Sequence, residues 1–221
     1  MKFIFDWICH DIDFELSFFN QFYTLYHNNL SDMKRKSIES IENELTDITD
    51  EEEYSELYNS YKNHYEQLFD DLFPNQMNYM MIVNLYTFLE RNIKKICDDY
   101  KERNKFPFSI EGFEGDLGTK LMRYLLCYKN LIYKDKYIQV IQEIAMLRNK
   151  IVHCHGYLDP DDKKIRRFIK DKGVNGSILL LDGSQIVIKN EFCEEYRRKV
   201  REVVMSLLTD MGYETKFRII E

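Results

Sequence analysis

A mainly α-helical bundle, with one small β-hairpin ahead of the last helix, is the fold this sequence predicts. Three observations carry that expectation. The 221 residues include only 8 glycines and 3 prolines, too few turn-formers for a chain of many short strands. Apolar side chains recur at three- and four-residue steps through most of the chain, the spacing of a buried helix face. The one departure is at Asp182-Gly183, a strong hairpin dipeptide, between the apolar runs Ile178 to Leu181 and Gln185 to Ile188.

The length suits a single domain over 1–221. Within it, residues 1–75 read as an N-terminal helical extension and 76–221 as the core, with the hairpin near 177–189. Phe14, Phe18, Phe22, Leu25 and Tyr26 predict a helix from about Asp11 to Leu30, packed by that aromatic stripe. Ser31-Asp32 is a candidate break or cap, after which Met33, Ile38, Ile41 and Leu45 resume the pattern. Residues 39–56 are strongly acidic, carry no basic side chain and should face water, with a break near Thr46 to Asp50. Tyr54, Leu57, Tyr61, Tyr65, Leu68 and Leu72 mark a further helix, ending before Pro74.

Asn78 to Tyr100 predicts a strong helix striped by Met81, Leu85, Phe88, Leu89, Ile93 and Ile96. Its Glu90 reads most simply as a surface residue paired with Lys94. Residues 101–118 read as a loop, and Lys120 to Tyr133 as a helix buried at Leu121, Tyr124, Leu125, Tyr128 and Leu131. A helix from about Lys136 then buries Ile141, Ile144, Ala145, Ile151 and Val152 and stops at Gly156. After a turn at Asp159-Pro160-Asp161 comes a basic segment with Lys163, Lys164, Arg166, Arg167, Lys170 and Lys172. Beyond the hairpin, Asn190 is a candidate cap for a last helix to about Met211, buried at Phe192, Tyr196, Val203, Val204, Leu207 and Leu208.

A net charge of −7 and a pI near 5.4 argue against a surface coated for nucleic acid, though not against a local basic site. No apolar run approaches a membrane span and the N-terminus does not read as a signal peptide, so no membrane is expected as a partner. Five cysteines, an odd number without a Cys-x-x-Cys pair, predict reduced thiols in a cytoplasmic protein. His153-Cys154-His155 is a poor metal site, because neighbouring ligands on a helix diverge and a structural zinc needs four, so neither metal nor cofactor is expected.

The stretch richest in chemistry is Arg148-Asn149-Lys150-Ile151-Val152-His153, at the end of an apolar helix. It resembles the signature of HEPN domains, an Arg followed by a polar residue and then a His four to six residues beyond the Arg. Members are small helical bundles that usually dimerise. Many are metal-independent RNases of toxin, phage-defence and CRISPR systems, and others are catalytically silent binding modules. The resemblance spans about residues 78–211, with the motif as its specific part. It implies an endoribonuclease leaving 2′,3′-cyclic phosphate and 5′-hydroxyl ends, with Arg148 on the phosphate and His153 as general acid or base. It further implies RNA as substrate, a homodimer, and an antitoxin or defence-system protein as a possible partner.

Such chemistry suits these residue types. RNA carries its own nucleophile, a histidine titrates near neutrality, and an arginine fork matches phosphate oxygens. Asn149 shares a helix face with His153 and could orient its ring or bind phosphate. At roughly 100° per residue, however, Arg148 and His153 diverge by about 140°, whereas His155 returns to the face of Arg148. The run to His153 matches the commonest form of the signature, and a site shared between two protomers would reconcile the angles. If His155 is the signature histidine, Tyr157 takes the place of the tyrosine that a partner nucleotidyltransferase modifies in some HEPN toxins. Lys150 and the cluster Lys163, Lys164, Arg166 and Arg167 are candidate RNA contacts, as is Arg197-Arg198-Lys199 with less reason. Without a phosphate to bind, Arg148 would pair with an acid such as Glu90, and the histidines would only close the helix end.

Overall fold

The helix-favouring pattern is realised over most of the chain in the computed structural model, which describes residues 2–4, 6–127, 135–215 and 218–220. Seven α-helices lie among the described residues: α1 (Trp7–Glu44), α2 (Glu51–Gln67), α3 (Phe73–Asn104), α4 (Leu117–Leu126), α5 (Asp135–Cys154), α6 (Lys163–Lys172) and α7 (Asn190–Asp210). A short strand β1 (Lys2–Ile4) pairs antiparallel with β4 (Arg218–Ile220), and β2 (Ile178–Leu181) pairs antiparallel with β3 (Gln185–Ile188). The β2–β3 register sets Leu181 against Gln185, and the turn residues Asp182 and Gly183 have φ of 48° and 70°, as a type I′ hairpin requires.

The centre of the bundle is α3, which packs against α5, α7 and α1. Its predicted stripe, Met81 through Ile96, is buried throughout, as are Phe192, Tyr196 and Leu207 on α7. Burial of each such side chain contributes about 1.5–3 kcal/mol. Residues Ile8, Ile12, Leu16 and Tyr23 of α1 join this same core.

Several elements depart from expectation. Ser31-Asp32 does not interrupt α1, which runs unbroken for 38 residues. Neither residue breaks a helix by itself, and Asp32 lies 3.6 Å from Arg35 one turn on. The stripe that packs α1 is not the aromatic one. Cys9, Ile12, Leu16, Tyr23 and Leu30 face the core, while Phe14, Phe18, Phe22 and Leu25 face outward. Both rows have helical spacing, so periodicity cannot choose between them.

Asp50 caps α2 by accepting from the backbone N–H groups of Glu52 and Glu53, which places the acidic run at a helix start. Pro74 does not end this helix. A π-helical turn, Leu68–Leu72, carries the chain into α3, where Pro74 occupies the first turn. The wide turn falls where the proline ring would meet the carbonyl four residues back. The supposed loop 101–118 is partly helical, since α3 extends to Asn104 and a 3-10 turn covers Ile110–Gly112. Asp116 caps α4 through the N–H of Thr119. The expected buried positions Tyr128 and Leu131 lie outside the described residues.

Asn190 is the first residue of α7 rather than its side-chain cap. Its Oδ1 accepts from the Tyr23 hydroxyl at 3.1 Å. The basic segment after the motif forms the amphipathic helix α6, which buries Ile165 and Ile169. Val152, expected in the buried face of α5, is exposed.

Candidate functional site

The motif sits where α5 leaves the core. Ile141, Ile144, Leu147 and Ile151 anchor α5, and the helix ends at Cys154. His155 then takes a left-handed conformation, φ 51°, and Gly156 another, φ 79°. The Gly156 N–H reaches back six residues to the Lys150 carbonyl at 3.0 Å, satisfying one of the last carbonyls of the helix. His155 thus fills the position where glycine is commonest, and histidine is one of the side chains that tolerate it.

Gly156 is required for a second reason. A Cβ there would lie 2.0 Å from the hydroxyl oxygen of Tyr79 on α3. That hydroxyl donates to the Ile186 carbonyl of β3. The exit of α5 is also stitched to the hairpin, by Ile186 N–H to Gly156 C=O at 2.9 Å and Leu158 N–H to Ser184 C=O at 3.0 Å. From α3, Asn75 accepts from Ile188 N–H at 2.9 Å, and Asn78 donates to the Ile188 carbonyl at 2.6 Å. The hairpin therefore braces the motif turn, a role that its sequence does not signal.

Arg148 lies half-buried with its guanidinium carbon 5.6 Å from the centre of the Tyr86 ring on α3. Its Nη1 donates to Asn149 Oδ1 at 3.0 Å, so Asn149 orients the arginine rather than a histidine ring. No carboxylate salt-bridges Arg148 among the described residues, and its buried Nε has no hydrogen-bond partner. The expected Arg148–Glu90 pair is not made. Lys94 does not pair with Glu90 either, but with Glu111. Burial, followed by the nearby Glu90 carboxylate, raises the Tyr86 hydroxyl above the usual tyrosine range, and Arg148 opposes the shift.

Of the two histidines, the structure places His155 in the groove between α3 and α5. A cavity of about 370 Å³ there is lined by His155, Ile151, Tyr79, Met80 and Val83. Tyr79, Val83 and Tyr86 share one face of α3, and Arg148 and Ile151 share one face of α5. Arg148 rests on Tyr86, about two turns of α3 beyond Tyr79, and neither Arg148 nor Tyr86 lines the cavity that His155 lines. Both histidines are exposed, and His153, in the last turn of α5, does not line that cavity.

The basic candidates divide. Lys150 is held by Asp162 at 2.6 Å, and that carboxylate also accepts from the Asp159 N–H at 2.8 Å. The hydrogen bond from Lys150, against the opposing effect of burial, holds the Asp162 carboxyl below the usual carboxylate range. Arg166 is spent on the chain itself, donating to the carbonyls of Leu158, Asp159 and Gly183 at 3.1, 3.0 and 2.7 Å. Lys163, Lys164 and Arg167 are exposed on α6, with Arg167 3.7 Å from Asp171. Arg197 and Lys199 on α7 are paired with Glu194 and Glu195.

A larger cavity, about 810 Å³, opens between α1, the π turn and the hairpin, with His27, Asp70, Asn75, Leu179, Val187 and Asn190 among its lining. Neither Arg148 nor a motif histidine reaches it. No group of three or more His, Cys, Asp or Glu side chains is placed to hold a metal among the described residues, and no helix among them is long and apolar enough to cross a membrane. No family model, curated protein or solved structure matches the chain.

Proposed function

We propose that the chain is a metal-independent endoribonuclease of the HEPN type, acting as a toxin or antiviral defence effector on RNA, with a homodimer as its working form. The observation that carries this reading is Arg148, half-buried, oriented by Asn149 and Tyr86, and without a carboxylate partner among the described residues. A buried cation is normally paired, so an arginine prepared in this way is suited to an anion from outside the chain. In the reaction a base takes the proton of the RNA 2′-hydroxyl, and the 2′-oxygen forms a bond to the adjacent phosphorus. The bond to the 5′-oxygen breaks, and that oxygen takes a proton from an acid. Arg148 would hold the phosphate oxygens as negative charge builds. His153, at the signature spacing from Arg148, and His155, which lines the cavity between α3 and α5, are the two candidate acids or bases. Lys163, Lys164 and Arg167 would steer the strand.

A second reading, a catalytically silent module that binds a protein or nucleotide, is favoured by the Arg148 Nε, which is closed off from solvent. The two readings separate in one assay. Purified protein is incubated with mixed RNA in EDTA, beside Arg148→Ala, His153→Ala and His155→Ala. Cleavage to cyclic-phosphate ends, reduced about 10²–10⁴-fold by Arg148→Ala and by one histidine variant, is the expected result. Cleavage unaltered in all three variants, or absent in wild type, sinks this assignment.

A further inference from the structure

The cavity of about 810 Å³ between α1, the π turn and the hairpin has no part in the ribonuclease reading, since neither Arg148 nor a motif histidine lines it. Its walls are apolar and come from two separate elements. Leu68 and Leu72 belong to the π turn, and Leu179, Leu181 and Val187 to the hairpin. The register pairs Leu179 with Val187, which sets this row on the face of the hairpin opposite the core residues Ile186 and Ile188. Leu72 and Leu181 are 43% and 50% exposed, so the walls of the free chain are wet. Small-molecule sites commonly enclose about 300–1,000 Å³, and π turns are frequent at functional sites.

The polar part of the lining is fixed in place. Asn75 and Asn78, 6% and 1% exposed, donate to the β3 backbone, at 3.3 Å to the Ile186 carbonyl and 2.6 Å to the Ile188 carbonyl. Asn78 also donates to Asn190 Oδ1 at 3.3 Å, which turns the Asn190 amide nitrogen toward His27 Nδ1, 3.4 Å away. The imidazole therefore accepts at Nδ1 and carries its proton at Nε2. Burial pushes the His27 pKa down, so the neutral ring adds no positive charge to the cavity. Lys189 is the one Lys or Arg in the lining among the described residues, against Asp70, Asp71 and Glu191. Lys34 meets Asp70 at 2.6 Å, whereas Asp71 and Glu191 form no salt bridge among the described residues.

We propose that this cavity binds an aliphatic amine, with its ammonium group at the Asp71 and Glu191 carboxylates and its hydrocarbon chain along the leucine and valine walls. Each methylene that leaves water for such walls tightens binding about fourfold. The carboxylates, short of cations, select the charge of the head group. A nucleotide or other phosphate ligand fits poorly, because its negative charge would meet three carboxylates and a single lysine. A quaternary ammonium fits less well than a primary one, since no Phe, Tyr or Trp lines the cavity among the described residues to form a cage. A primary ammonium instead supplies N–H donors to the carboxylates.

Octylamine, octanoate and octanol share one hydrocarbon chain and differ in charge at neutral pH. Titrating each into the purified full chain, read by proton NMR of the histidine rings, tests the proposal. The chain has 5 histidines, and His27→Gln assigns the His27 signal. Octylamine should shift that signal and bind about tenfold more tightly than octanoate, as an ion pair replaced by a repulsion requires. Asp71→Asn/Glu191→Gln, which keeps side-chain size at exposed positions, should bring octylamine to the affinity of octanol with melting unaltered. Leu181→Lys, on the exposed end of the hairpin wall, should weaken octylamine and strengthen octanoate. Equal or tighter binding of octanoate overturns the proposal. So does octylamine binding that leaves the His27 signal unmoved, or that survives the double substitution at full strength. Absence of octylamine binding up to about 10 mM, the weakest affinity expected of so small a ligand, overturns it as well.

Discussion

His155 occupies a backbone conformation that its side chain does not favour. At φ 51° in the C-terminal turn of α5, a non-glycine residue costs about 1–2 kcal/mol, part of which glycine would return as flexibility of the unfolded chain. Strain of this kind persists where the surroundings enforce it, and here Tyr79, Gly156 and the hairpin do so. His155→Gly should therefore raise stability by about 0.5–1 kcal/mol, seen as a higher urea midpoint at unchanged slope, while abolishing the histidine's contribution to RNA cleavage. A stability loss would mean that the imidazole makes a structural contact. His153 occupies ordinary helix, so the same substitution there should destabilise by about 1 kcal/mol, and the two neighbours should move in opposite directions.

At the scale of the element, α6 shows why a run of basic letters is not yet a binding surface. Its alternation of Lys and Arg with Ile165, Phe168 and Ile169 makes one face apolar, and the helix sits on the hairpin by that face. Position then sorts the cations. Arg166 points back to satisfy the Leu158, Asp159 and Gly183 carbonyls, whereas Lys163 and Lys164 project into solvent. Arg166→Ala should lower stability by about 1 kcal/mol, because the part-buried Leu158 carbonyl loses a charged donor while the exposed Asp159 and Gly183 carbonyls return to water. Lys163→Ala/Lys164→Ala should leave the melting temperature within about a degree. If the proposed RNA contact holds, it should also weaken RNA binding and reduce the slope of log K against log salt by about 2. Equal effects of both variants on melting would contradict the division drawn here.

Across the whole molecule, burial decides the chemistry of the thiols. Cys9, Cys97 and Cys193 lie in the core, and burial first of all pushes Cys9 up to about 11 and Cys193 up to about 12, with Cys97 raised as well. A raised thiol stays protonated, and so unreactive, until pH climbs through the raised value. Near pH 8 Cys127, which is exposed, should react with a thiol reagent within minutes and half-buried Cys154 more slowly. The other three should react only on unfolding. Counting modified thiols by mass before and after denaturant checks this, and fast labelling of Cys97 in the native protein would refute the packing around α3.

How much of this was legible beforehand depended on how local the cause was. The stripe of α3, the burial along α7, the Asp182-Gly183 turn and the arginine at the end of an apolar helix follow from periodicity and backbone preference, both written in neighbouring residues. Which of the two rows on α1 is buried could not be read, because each satisfies the same spacing and only contact with α3 and α7 separates them. Pro74 misled for a similar reason, since a π turn ahead of it let the helix continue. At the motif, the sequence alone determined that an arginine, an asparagine and two histidines stand close along the chain. Only the tertiary structure decided that Arg148 rests on Tyr86 without a carboxylate, that Lys150 and Arg166 are occupied, and that His155 rather than His153 lies in the groove. These outcomes were set by residues seven or more positions away, on α3, the hairpin and the loop after α5. A side chain's partners depend on what the fold brings to it, and local spacing carries no record of that.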